Sequence, residues 1–305
     1  MGKLALIFPG QGSQSVGMGR ELAGSFEAAA AIYKEANDIL DWDVAGLSFE
    51  GPADMLGRTE YAQVALYVNS MAAMAVLSEK GVRGDVVSGH SLGEYSALAA
   101  AGALNFEAAL KLVSLRGEIM GRLAKERPGS MAAIIGLKDG EVESICAESG
   151  EVWPANYNCP GQLVISGETE AVHRAMTRSA DAGAKRAVML TVSGPFHSPL
   201  MRNASGEMRV HLTGAEFKEA DPPFLSSISC EYEAADGLAG VLAEQITSAV
   251  KWRLAVEKLI EDGCDRFFEV GNGKTLCGLI KRIDRGVRAV SVSDPDSLDK
   301  ALASL

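Results

Sequence analysis

Apolar residues follow two rhythms along this chain: short unbroken runs alternate with longer stretches spaced by three and four. The first run, Leu4 to Phe8, predicts a buried strand that ends in the turn-rich segment Pro9-Gly10-Gln11-Gly12-Ser13-Gln14. Helical spacing follows through Lys80. Within it the charge-free stretch Tyr61 to Ser78 is broken by Gln63, Asn69 and Ser70, which predicts a core helix and not a membrane span. A second strand, Asp85 to Ser88, runs into Gly89-His90-Ser91-Leu92-Gly93 and an Ala-rich helix, Glu94 to Ala101. Another helix covers Phe106 to Lys125. Strands alternating with helices predict an α/β layer architecture with a parallel sheet.

The rhythm changes after Arg127-Pro128-Gly129. Strands are expected at Met131 to Gly136, Val152 to Asn156, Gln162 to Ser166 and Ala187 to Val192. Helices are expected between them at Gly140 to Glu148 and Thr169 to Ala182. That order, βαββαβ, is the ferredoxin-like unit. Helices resume from Ser198, and strands at Phe267 to Val270 and Val287 to Val292 can rejoin the large sheet. The expected organisation is a large α/β-hydrolase-like domain, residues 1–127 and 195–305, with an inserted ferredoxin-like subdomain at 128–194.

Composition narrows the class. Of 305 residues 47% are hydrophobic and 23% charged, as in ordinary globular proteins, which excludes disordered and collagen-like chains. The formal charge of −11 disfavours a nucleic-acid partner. The run Leu4 to Phe8 is too short for a signal-peptide core, and Leu6 stands where a myristoylation signal needs Ser or Thr. The five cysteines show no metal or redox spacing, so reduced thiols in a cytoplasm are expected, with no metal and no membrane partner. Gly is in excess, 33 of 305, which points to places of close backbone approach.

The chemistry gathers at few positions. Gly89-His90-Ser91-Leu92-Gly93 fits G-x-S-x-G between a strand and a helix, the turn that exposes a nucleophilic Ser Oγ and sets the next amide beside a developing oxyanion. The bland alternative is a plain tight turn. Such a serine needs a base. His90 is its neighbour in the turn, where side chains diverge, and His173 and His211 sit in charged helical segments. His197 lies in Ser193-Gly194-Pro195-Phe196-His197-Ser198-Pro199, whose prolines stiffen the loop, and is the best partner for Ser91. Arg116 is surrounded at helical spacing by Ala109, Leu112, Val113, Ile119, Met120 and Leu123. A guanidinium in an apolar stripe needs an anion, either an internal Asp or Glu or a substrate carboxylate. Gln11, in the loop after the first strand, can supply an oxyanion donor at the carboxyl ends of the strands.

Taken in order, Phe8-Pro9-Gly10-Gln11-Gly12-Ser13-Gln14, Gly89-His90-Ser91-Leu92-Gly93-Glu94-Tyr95, Arg116-Gly117, Asn156-Tyr157-Asn158-Cys159-Pro160-Gly161-Gln162 and Pro195-Phe196-His197-Ser198-Pro199-Leu200-Met201 resemble the malonyl-CoA:acyl carrier protein transacylases of type II fatty-acid synthesis. The resemblance runs to Glu269-Val270-Gly271-Asn272-Gly273-Lys274. It implies Ser91 as acylated nucleophile, His197 as base, and an oxyanion hole from Gln11 and the Leu92 amide. It implies Arg116 on the malonyl carboxylate, Gln63 and Gln162 lining the site, and bulky Phe196 disfavouring branched units. A backbone carbonyl at Ser248, where the family usually has Asn, is implied to orient the histidine. Malonyl-CoA is then the substrate, an acyl carrier protein the partner, and the enzyme a cytoplasmic monomer with no bound cofactor. The competing readings are a trans-acting acyltransferase of a polyketide synthase and an acyl hydrolase. Carrier proteins of this type are acidic, so a basic docking patch is expected at Lys281, Arg282, Arg285 and Arg288, or at Arg122, Lys125 and Arg127.

Overall fold

A computed structural model describes residues 2–192 and 194–305. Ser193, which opens the expected stiff loop, lies outside the described residues. The strands are β1 (Lys3–Phe8), β2 (Val86–Gly89), β3 (Ser130–Ile135), β4 (Val152–Cys159), β5 (Gln162–Gly167), β6 (Arg186–Met189), β7 (Phe224–Leu225), β8 (Cys264–Val270) and β9 (Arg288–Val292). Among the described residues they form a five-stranded sheet, β7-β2-β1-β8-β9, and a four-stranded sheet, β4-β5-β3-β6. The first is parallel at every pairing and the second antiparallel at every pairing.

The continuous apolar run of β1 follows from its central place in the sheet. Leu4, Leu6 and Phe8 pack into one core cluster while Ala5 and Ile7 pack into another. A strand whose side chains alternate between two covered faces must be apolar at every step. The four-stranded sheet carries its own core, in which Ile134, Leu163 and Ile165 meet Val142 and Cys146 of the helix Asp139–Ser149 and Val172 of the helix Thr169–Asp181. The helix Thr59–Glu79 is long and apolar enough to cross a membrane, but most of it is buried inside the fold.

Three features of this frame place the site. The chain leaves β1 and β2 at the same edge of the sheet, because Phe8 pairs in register with Gly89. The four-stranded sheet is tied to the large one through Val250, whose carbonyl accepts from Tyr157 N–H and whose amide donates to Ala155 O. Strand β6 ends at Met189, earlier than the expected Val192, and the residues beyond it lead toward the His197 loop.

Candidate active site

The turn after β2 is built by contact between backbones. A side chain at Gly89 would run into the backbone of Gly93 and Glu94, and one at Gly10 into the carbonyl of His90. Glycine at both positions lets the loop after β1 lie directly on the turn. Ser91 then sits at φ 54°, the left-handed region that non-glycine residues seldom occupy. Leu92 follows as the cap of the helix Gly93–Ala100, so its amide is among those with no acceptor inside the helix.

His197 is also held at positive φ, 57°, and is buried. Its Nε2 lies 2.8 Å from Ser91 Oγ and its Nδ1 2.8 Å from Gln245 O. A carbonyl only accepts, so Nδ1 carries the proton and Nε2 offers its lone pair to the serine hydroxyl. The carbonyl placed 2.8 Å from the ring nitrogen is that of Gln245, three residues before the expected Ser248. The physical reason is the end of the helix Ala235–Glu244, where carbonyls run out of helical donors. Gln245 O takes the ring N–H and Ile246 O takes the His197 backbone N–H, 3.2 Å away. The Ser248 backbone adds only a lesser pull on the ring. Burial, helped by the Arg116 charge, lowers the imidazole to about 3, so the base is neutral near pH 7.

Arg116, on the helix Phe106–Glu126, is 1% exposed. Its Nη1 donates to Gln63 Oε1 at 2.7 Å, and its Nη2 to Gln245 Oε1 at 2.9 Å and to Ser91 Oγ at 3.3 Å. Its buried Nε has no hydrogen-bond partner among the described residues. No carboxylate lies within 4 Å of it among the described residues, so the internal ion pair that would explain its burial is absent. A small cleft of about 90 Å³ opens over the pair, walled by Gln11, Arg116, Met120, Asn156, Leu190, Val192 and Phe196. A buried guanidinium with free donors in a small, largely apolar cleft is a binding site for one small anionic group.

The remaining expected residues divide. Gln11 stands on the cleft wall, its Nε2 donating to Thr59 Oγ1 at 3.2 Å. Phe196 also lines the cleft. Gln63 is fully buried behind Arg116 and holds the guanidinium instead of meeting the cleft. Gln162 is not on the cleft wall; it follows the turn into β5 and accepts from Arg282 Nη1 at 2.7 Å. Asn156 of β4 lines the cleft. His90 also faces the cleft, but its Nε2 is engaged 3.0 Å from Asn158 Oδ1, and burial lowers its pKa. His173 and His211 are exposed.

Two buried residues given no role in the sequence analysis join the site. Glu94 is fully buried and accepts from Ser226 Oγ, Ser227 N–H, Ser227 Oγ and Gln245 Nε2. Burial lifts its carboxyl to about 7 against the pull of these donors. Gln245 also donates from Nε2 to Ser91 O at 2.9 Å. Among the described residues no group of three or more His, Cys, Asp or Glu could hold a metal ion.

Comparison with known proteins adds to this geometry. The acyl transferase domain family matches residues 5–290. The malonyl CoA-acyl carrier protein transacylase of Bacillus subtilis (strain 168) is 42% identical, over 100% of this chain and 98% of that protein. The enzyme of the same name from Salmonella typhimurium is 41% identical over 99% of both. Among solved structures, an acyl carrier protein S-malonyltransferase from Vibrio cholerae superposes with a TM-score of 0.94 at 40% identity, covering 98% of this chain and 99% of that one. A malonyl-transacylase in complex with a type II PKS acyl-carrier protein superposes with a TM-score of 0.96 at 40% identity, covering 99% and 100%.

Proposed function

The chain belongs to the acyl transferase family, with malonyl CoA-acyl carrier protein transacylases as full-length relatives, and from that premise we propose how it works. It transfers a malonyl group from malonyl-CoA to the phosphopantetheine thiol of an acyl carrier protein, by way of a malonyl ester on Ser91. The observation that carries this reading is a nucleophile–base pair beside a guanidinium that has no counter-ion in contact among the described residues.

Ser91 Oγ attacks the thioester carbonyl, and its proton passes to His197 Nε2. Gln245 O supports the imidazolium that forms. The tetrahedral oxyanion is met by the Leu92 amide and by Gln11. When the intermediate collapses the C–S bond breaks and the CoA sulfur takes the proton back from His197. The carrier thiol then gives its proton to His197, attacks the ester carbonyl, and leaves Ser91 free with its proton restored. Arg116 holds the malonyl carboxylate throughout, and Phe196 limits the space beside it. Two half-reactions sharing one acyl-enzyme predict ping-pong kinetics: double-reciprocal plots at several carrier-protein concentrations should be parallel. Intersecting lines would show a ternary complex and refute the acyl-enzyme route. A polyketide carrier protein is the second acceptor to offer, because one structural relative was solved holding one.

The four-stranded order β4-β5-β3-β6 supports reading residues 128–194 as a ferredoxin-like insertion in an α/β-hydrolase-like domain of residues 1–127 and 195–305. We read the protein as a monomer because Ser91, His197 and Arg116 meet within one chain. For the carrier protein, the two basic clusters differ in their ion pairs. Arg122 meets Glu126 and Glu207, Lys125 meets Glu60, and Arg127 meets Glu151. Lys281, Arg282, Arg285 and Arg288 are exposed and have no carboxylate within 4 Å among the described residues. Unpaired charge on an acidic enzyme is available to an acidic partner. Reversing Lys281 and Arg285 to Glu should raise the KM for carrier protein about tenfold while the KM for malonyl-CoA holds. An unchanged carrier KM would remove this surface from docking.

A further inference from the structure

The burial of Arg116 poses a conflict. A guanidinium withdrawn from water needs a counter-charge, yet a carboxylate in direct contact would occupy the donors that bind substrate. The structure resolves it through distance. Glu94, fully buried on the helix Gly93–Ala100, makes no contact with Arg116 within 4 Å among the described residues, but its negative charge still favours the charged form of Arg116. Between them stands the Gln245 amide: Nε2 donates to Glu94 Oε2 at 2.6 Å and Oε1 accepts from Arg116 Nη2 at 2.9 Å.

This arrangement has only one workable orientation. A carboxylate accepts and a guanidinium donates, whereas an amide does one at each end. Glu94, together with the Ser91 carbonyl that also accepts from Nε2 at 2.9 Å, fixes which end of Gln245 faces Arg116, and Ser226 and Ser227 fix Glu94 in turn through three hydrogen bonds to Oε1. Turning the amide over would set Nε2 against Nη2, donor against donor. Resting on the malonyl-transfer reading, we propose that Glu94 is a positioning and specificity-determining residue: it compensates Arg116 at one remove and, through Gln245, keeps the guanidinium aimed at the malonyl carboxylate without competing for it.

The test compares rates of acyl-enzyme formation from malonyl-CoA and acetyl-CoA at pH 8, in wild type, Glu94→Gln and the exchange variant Glu94→Gln/Gln245→Glu. Glu94→Gln presents an amide to an amide, and the malonyl-to-acetyl ratio should fall about tenfold, mostly through the KM for malonyl-CoA. The exchange variant keeps one carboxylate and the hydrogen bond between the two side chains but places the charge on Arg116, so its ratio should fall further, by about a hundredfold. A purely structural role predicts instead that both thioesters lose rate alike, through kcat, with the malonyl-to-acetyl ratio unchanged. An unchanged ratio in either variant overturns the proposal. If wild type itself forms no malonyl ester, the transfer reading fails first, and the two failures are told apart by that control.

Discussion

Ser91→Ala protein mixed with malonyl-CoA gains no malonyl mass, and its transfer rate falls by at least about 10⁴-fold. The size of the loss follows from the role. Among the described residues the hydroxyl is the only group found at hydrogen-bond distance from His197 Nε2, and no other hydroxyl or thiol lies on the cleft wall. Binding groups and oxyanion donors remain, but they have nothing to acylate. The variant should fold, because alanine at φ 54° is no more strained than serine. Its far-ultraviolet circular dichroism should match wild type. Retained transfer of more than about 1% would mean that the carrier thiol attacks malonyl-CoA directly, and Ser91 would lose its place as covalent carrier.

Arg116→Ala separates recognition from chemistry. Removing a buried cation leaves the malonyl carboxylate in the cleft with no charged partner, a loss of about 10²- to 10³-fold in kcat/KM for malonyl-CoA. Acetyl-CoA carries no carboxylate, so its acylation of Ser91 should hold or improve. Equal loss for both thioesters would refute the clamp. The same variant has a pH signature. The Arg116 charge helps lower His197 to about 3, so removing it moves the imidazole back toward its ordinary value. The acid limb of acetyl-CoA acylation should therefore shift to higher pH. A limb that stays in place would show that Arg116 does not act on the base.

Much of this site could be read from local patterns because each local pattern had one structural outcome. The apolar run Leu4 to Phe8 had to be buried on both faces, and it is β1 at the centre of its sheet. Arg116 stood out because six apolar neighbours left it nowhere to go but inward. What escaped were relations between distant segments. Gln245 touches Ser91, Glu94, Arg116 and His197, yet nothing near it in sequence separates it from Ser248, the residue expected in its role. Only the point where the helix Ala235–Glu244 ends decides which carbonyl faces the ring. Glu94 opens a helix next to the nucleophile, and its burial depends on Ser226 and Ser227, more than a hundred residues away, closing over it. The contact that Gln162 makes was hidden for a related reason. Its position in β5 was foreseen, but its partner Arg282 comes from the far end of the chain.

Intact-mass analysis of wild-type protein after brief mixing with malonyl-CoA or acetyl-CoA, followed by peptide mapping, tests malonyl transfer through Ser91 most directly. The expected result is a malonyl adduct on Ser91 alone, discharged by added carrier protein, with acetyl-CoA giving little or none. An unmodified Ser91 with free malonate and CoA accumulating, or an adduct on another residue, would contradict it.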